Sequence, residues 1–139
     1  MKKITLSIAA IVMALACVFS LSACGQTPEE KLANYIESDA FKEQVESMSS
    51  QFESMLDIDV KAEDSKIIYD FTYKTQIPDN TLDTVKSSLE SSFKSLSSTY
   101  EGIANTIKKE IGIENPVVVV NFNNADGTNI TTIEYNATE

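Results

Sequence analysis

The chain has 139 residues, 21 of them acidic and 11 basic, with a formal net charge of −10 and no histidine or tryptophan. A chain this acidic repels phosphate backbones, so nucleic acid is not expected as a partner. Without histidine, the common transition-metal ligand sets and the Ser-His-Asp and Cys-His arrangements of hydrolases cannot be assembled, and we expect no enzymatic activity and no metal or other cofactor.

The N-terminus has the pattern of an export signal. Lys2 and Lys3 precede a run without charge over residues 4–23. The end of this run, Leu21-Ser22-Ala23-Cys24, resembles the bacterial lipobox. The resemblance implies that the Cys24 thiol receives a diacylglycerol, the chain then carrying palmitate or similar acyl groups, and that cleavage leaves Cys24 as the first mature residue. The alternatives are an uncleaved membrane-spanning helix and an ordinary signal peptide with an incidental cysteine.

Lipidation would divide the chain into a signal peptide at residues 1–23, a lipid-anchored linker at 24–30 and a single domain at 31–139. Two acyl chains on one residue hold a protein to a bilayer much more firmly than one chain does. We therefore expect a protein on the extracellular face of the cell membrane. Its mature chain would keep 9 lysines against 21 acidic residues, so attachment depends on the lipid and not on a basic patch.

Apolar residues with helical spacing follow Ser38 and predict a helix, with a shorter amphipathic turn around residues 32–36 before it. A longer stripe over residues 82–107 predicts a helix of about seven turns, which Gly102 would bend and Gly112 would end. The other side of this helix is rich in serine. It could contact glycans, but a solvated face of small polar residues explains it as well. The serines are Ser87, Ser88, Ser91, Ser95 and Ser98.

Twofold alternation predicts two hairpins, the first from strands near residues 56–62 and 67–73 and the second from strands near 117–122 and 130–135. Asp126-Gly127 is a strong turn signal within the second. The order helix, strand, strand, repeated once, predicts an α+β fold. We expect two αββ units that form a four-stranded, mainly antiparallel sheet with the helices packed on one face.

Two patterns could support chemistry, and both have simpler interpretations. Asp57 and Asp59 point to the same face of a strand, as a carboxylate pair for glycoside hydrolysis would, but an outer sheet face also alternates polar residues in this way. The segment NFNNADGTN offers oxygens for calcium. It lacks the first ligand of an EF-hand loop, and we interpret it as a hairpin turn.

The best candidate for a partner-binding site is the run of four valines that begins at Val117. If alternate residues of this strand face the helices, Val117 and Val119 emerge on the second face of the sheet, where Ile68 and Ile130 would join them. Such an apolar patch could bind a protein partner or a second copy. The alternative is a central strand whose second face is covered by the helix at residues 32–36. The oligomeric state stays open.

Three segments carry a resemblance to a known family: YIESDAFK at residues 35–42, YKTQI at 73–77 and NADGT at 124–128. Over about residues 32–135 they resemble a family of small lipoproteins from low-GC Gram-positive bacteria whose domain is of unknown function. The resemblance implies a location and a single domain, and it supplies no catalytic residue.

From the anchor and this resemblance we expect a non-enzymatic lipoprotein that binds or scaffolds another component of the cell envelope. The alternative is an inhibitor or sensor of a secreted hydrolase, because the αββ units are similar to those of β-lactamase inhibitory proteins.

Overall fold

The computed structural model describes residues 25–138, so the predicted signal peptide and Cys24 lie outside the described residues. The elements in chain order are α1 (Pro28–Glu37), α2 (Asp39–Phe52), β1 (Leu56–Glu63), β2 (Lys66–Tyr73), α3 (Asp79–Lys94), α4 (Ser97–Thr106), a π-helical turn (Ile107–Ile111), β3 (Val117–Asn123) and β4 (Asn129–Asn136).

The four strands lie side by side in the order β1-β2-β3-β4. β1 pairs with β2, and β3 with β4, as antiparallel hairpins, whereas the two central strands β2 and β3 are parallel. Each hairpin belongs to one αββ unit, and the parallel pairing joins the units into one sheet. The α+β fold with a mainly antiparallel sheet is therefore confirmed.

The hydrophobic core lies between the helices and one face of the sheet. Alternate residues of β2 and β3 enter it, since side chains on a strand point to opposite faces in turn. The ring of Phe122 stacks on Phe71 at a centroid distance of 5.2 Å and meets the edge of Phe93 from α3 at 5.0 Å. The fully buried core residues with the largest side chains are Tyr69, Tyr100, Phe71, Phe93, Phe122, Leu32, Met48, Ile67, Ile107 and Val118.

Helix α1 begins earlier than the predicted linker allows. Thr27 caps it: the Thr27 Oγ1 accepts a hydrogen bond from the Glu30 backbone N–H at 3.2 Å, and the Glu30 carboxylate accepts one from the Thr27 N–H at 2.9 Å. Pro28 follows at the first helical position, where its missing N–H costs nothing. Residues 28–30 are therefore helical and do not belong to the linker.

Helix α1 packs on the same face of the sheet as the other helices, and not on the second face. Leu32 and Tyr35 belong to the same buried cluster as Ile67 and Val118, and these two strand residues face the other helices. The expectation that α1 covers the second face of the sheet is wrong. In the shared core Leu32 is fully buried and Tyr35 is only 6% exposed, so the apolar side of α1 is removed from water there.

The long predicted helix breaks between α3 and α4, and not at Gly102. The Ser95 hydroxyl donates to the Ser91 carbonyl oxygen at 3.2 Å, a local bond that competes with regular helix geometry. Leu96 then leaves the helical region, with φ −101° and ψ 7°. Gly112 ends the helical segment as predicted, in a left-handed conformation with φ 88°.

Burial raises the pKa of all five tyrosines. The pKa of Tyr35 rises to about 12, and the pKa values of the other four are also raised, with burial as the largest cause. The Tyr135 hydroxyl donates to the Phe93 carbonyl oxygen at 2.8 Å, and its ring stacks on Tyr100 at 4.6 Å. The Tyr69 and Tyr100 hydroxyls have no hydrogen-bond partner in the part of the chain that the structure describes.

The domain should lose stability at alkaline pH because of these tyrosines. An unfolded chain releases its phenol protons near about pH 10, whereas the folded chain holds that of Tyr35 to about 12. The stability that the buried, protonated tyrosines contribute is therefore fully present below about pH 10, and it is lost as the pH rises from there toward 12. We expect phenolate absorbance and loss of circular dichroism to appear together in this range. Phenolate absorbance near pH 10 with an unchanged dichroism spectrum would contradict the assignment.

Candidate functional site

The sheet face opposite the helices, which we call the open face, is lined mainly by polar residues. The core that the helices share with the sheet includes none of its apolar residues. Strand alternation and the observed register place these residues on it: Asp57, Asp59, Lys61 and Glu63 from β1, Lys66, Ile68, Asp70 and Thr72 from β2, Val117, Val119, Asn121 and Asn123 from β3, and Thr132, Glu134 and Asn136 from β4.

Four of these residues form a connected polar ladder across all four strands: Lys61, Asp70, Asn121 and Thr132. The Asn121 Nδ2 donates to the Asp70 Oδ1 at 2.7 Å, and the Thr132 hydroxyl donates to the Asn121 Oδ1 at 2.7 Å. The Lys61 Nζ lies 3.5 Å from the Asp70 Oδ2, and the Asp70 charge is the largest cause of a raised Lys61 pKa. Each side chain in the ladder therefore orients the next.

The predicted apolar residues Ile68 and Val119 lie beside the ladder but are largely covered. They are direct neighbours across β2 and β3, and only 8% and 5% of their surfaces are exposed. In the same row across the sheet, Lys61 flanks Ile68 and Glu134 flanks Val119. Both lie on the second face as expected, but they offer little apolar surface to a partner.

The other two predicted site residues, Val117 and Ile130, do not lie on the same face of the sheet. Val117 is half-buried on the open face, next to Lys66 in the register of β2 and β3. Ile130 packs against the core instead. Near the start of β4 the pairing shifts, leaving Ile130 as an extra residue between the partners of Asn123 and Phe122. Such a β-bulge re-aims side chains, so the grouping of Ile130 with the other three is wrong.

Two other patterns from the sequence are exposed at the surface. Asp57 and Asp59 lie on β1 in contact with solvent, and the Asp57 carboxylate is 3.2 Å from the Lys74 Nζ. The five serines of the serine-rich helical face are all exposed. Within residues 25–138 there is no group of three or more acidic or cysteine side chains that could hold a metal. The same residues include no helix long and apolar enough to cross a membrane.

Sequence reasoning missed a clamp between two of the segments that carry the family resemblance. The side chain of Asn124, which is 2% exposed, accepts from the Ile77 N–H at 2.8 Å and donates to the Ile77 carbonyl oxygen at 3.0 Å. Gln76 and Asp126 add two further bonds, at 3.2 and 3.1 Å. The clamp ties the chain after β2 to the turn between β3 and β4. In the sequence, the only indication of this clamp is an asparagine close to the Asp126-Gly127 turn.

The third segment of the resemblance, residues 35–42, forms the junction between α1 and α2. The Ser38 hydroxyl donates to the Tyr35 carbonyl oxygen at 2.6 Å and accepts from the Phe41 N–H at 3.4 Å, which ends α1 and begins α2. The rings of Tyr35 and Phe41 meet edge to face at 5.3 Å. All three segments therefore lie at junctions between elements, and the turn at residues 124–128 is the predicted hairpin turn, with Gly127 at φ 84°.

The fold and this face define a small α+β domain with one helix-covered and one polar sheet face. The chain belongs to the family described as Domain of unknown function (DUF4854), whose sequence model matches residues 32–135. The match runs from α1 to β4 and so includes the clamp and the polar ladder. Searches for similar chains find no matching curated protein and no matching solved structure.

The clamp predicts unequal effects for two neighbouring asparagines. Asn124→Ala should lower the free energy of unfolding by about 2 kcal/mol, because the N–H and C=O of Ile77 lose two part-buried hydrogen bonds to the Asn124 side chain. Asn123→Ala is the matched control. Its side chain accepts one exposed bond from Asn129 at 3.2 Å, and its loss should cost less than about 1 kcal/mol. Urea unfolding measures both values, and equal effects would argue against the clamp.

Proposed function

We propose that the protein is a lipoprotein of a Gram-positive cell envelope, anchored outside the membrane through diacylglycerol on Cys24, and that it binds another envelope component through its open face without catalysing a reaction. The lipobox-like tetrad at residues 21–24 supports the anchor. Three residues, Gly25 to Thr27, separate Cys24 from α1, a reach of roughly 10 Å at most. This short tether would keep the domain beside the bilayer.

The polar ladder is the observation that carries the binding role. Side chains on a merely solvated sheet face do not need mutual hydrogen bonds, since water satisfies them. Here the amide of Asn121 is held from both sides, by Asp70 and by Thr132, at 2.7 Å each. Groups that are already oriented lose less conformational entropy when a partner binds. A fixed row of donors and acceptors across four strands is suited to recognising a polar protein surface.

The chemistry around the ladder favours recognition over catalysis. The chain has no histidine, and Asp57 and Asp59 are exposed on the edge strand. Because Ile68 and Val119 are mostly covered, the contact would depend on hydrogen bonds and charge more than on apolar burial. The acidic domain also favours a partner surface with basic residues.

The anchor is tested by Cys24→Ala in the full chain. We expect this variant to incorporate no labelled palmitate and to lose its stable attachment to the membrane or remain unprocessed, since the thiol that accepts the lipid is absent. Cys17→Ala is the matched control, because Cys17 lies within the predicted signal peptide; it should be labelled like the unchanged chain. Labelling of the Cys24 variant would show that the lipid is attached elsewhere.

The open face is tested by photocrosslinking in cells. A photoreactive residue replaces Asp59 on β1 or Asn136 on β4, which are exposed on the open face and lie outside the polar ladder. The control position is Ser91, exposed on α3. We expect the positions of Asp59 and Asn136 to capture the same partner and that of Ser91 not to capture it.

Capture at Ser91 alone would move the binding surface to the helices, and no specific capture at any position would reject a stable partner. Capture of a single secreted hydrolase in one-to-one ratio would instead favour the inhibitor or sensor role.

A further inference from the structure

Helix α2 ends before its apolar stripe does. The stripe includes Val45, Met48 and Phe52, and Met55 continues the same helical spacing along the chain. The helix ends at Phe52, so Met55 is not carried into the core with the others. Within residues 25–138, Met55 is the exposed large apolar side chain, with 40% of its surface in contact with solvent, whereas Met48 is 2% exposed.

The backbone of Met55 is fixed at the start of β1. Its N–H donates to the Phe52 carbonyl oxygen at 2.7 Å, and its carbonyl oxygen accepts from the Lys74 N–H at 3.0 Å. The second bond extends the pairing of β1 with β2 by one residue beyond Leu56 and Tyr73. Because both backbone groups are engaged, the exposure of the side chain is a property of the folded state and requires no local opening.

We infer that Met55 is a modification site, at which peroxides oxidise the thioether to a sulfoxide while Met48 is spared. The Met55 sulfur attacks one oxygen of hydrogen peroxide, so that an S–O bond forms and the O–O bond breaks. The displaced hydroxide takes the proton of the transferred hydroxyl and leaves as water. The sulfur loses two electrons and the peroxide gains them. This inference does not depend on the proposed function.

The fold accommodates a sulfoxide at Met55 but not at Met48. Oxidation converts an apolar side chain into a polar one. At the exposed Met55, water supplies hydrogen bonds to the new oxygen. Met48 belongs to the hydrophobic core, where a polar group without a partner is destabilising. The exposed position also leaves the sulfoxide of Met55 accessible to a thiol-dependent reductase, the class of enzyme that restores methionine.

The two methionines can be compared within one sample of the full chain. Each follows a serine, and cleavage after glutamate separates them into the peptides 47–53 and 54–63. The native protein is treated with hydrogen peroxide, and mass spectrometry measures the gain of one oxygen in each peptide over time.

We expect Met55 to be oxidised at least about tenfold faster than Met48, since Met48 reacts only from sparsely populated open states. The circular dichroism spectrum should stay unchanged while Met55 reacts. In urea, where the chain is unfolded, the two methionines should react at similar rates.

Two variants provide the controls. Met55→Leu should remove the fast oxidation, and Met48→Leu, which conserves the side-chain volume in the core, should retain it. Equal oxidation rates of Met48 and Met55 in the native chain, or slow oxidation of both, would overturn the inference. Loss of dichroism before Met48 reacts would also overturn it, because the sulfoxide at Met55 would then be incompatible with the fold. The comparison within the unchanged chain decides the question even where Met48→Leu does not fold.

Discussion

The parallel pairing of β2 with β3 is the constraint on which the rest of the structure depends. It is the only parallel pair in the described sheet, and it joins two hairpins that would otherwise be separate. Parallel neighbours need a long crossover connection, which α3, α4 and the π-helical turn provide. The pair is secured at both ends, by the Val117 N–H on the Ser65 carbonyl oxygen at 3.1 Å and by the Asn124 clamp on Ile77 at 2.8 and 3.0 Å.

This pairing gives the two faces of the sheet different characters. On one side it brings Phe71 next to Phe122 and Tyr69 next to Val120, which together with the helices form the core. On the other side the same register brings Asp70 next to Asn121, and their hydrogen bond becomes the centre of the polar ladder. A shift of one residue would reverse every side chain of the strand. The core and the proposed recognition surface are therefore specified by one register.

The periodicity of apolar residues predicts the helices, the strands and their buried faces. It does not predict where a helix breaks or where a strand forms a bulge. The helical stripe continues from Leu89 through Leu96 to Tyr100 without an interruption, so it could not show that the backbone leaves helical geometry at Leu96. Ile130 alternates in the sequence like any strand residue, and only the shifted pairing of β3 with β4 turns it toward the core. Periodicity reports which residues are apolar, whereas a bulge or a break depends on hydrogen bonds between particular groups.

The sequence by itself determined the α+β class, the two hairpins and the extent of the family resemblance, because apolar spacing and turn residues act locally. Only the tertiary structure decided that Ile68 and Val119 are covered, that Asn121 is held between Asp70 and Thr132, and that Asn124 binds Ile77. These contacts join residues that are far apart in the chain. Burial and hydrogen-bond partners at such separations depend on strand order and register, which local patterns do not contain.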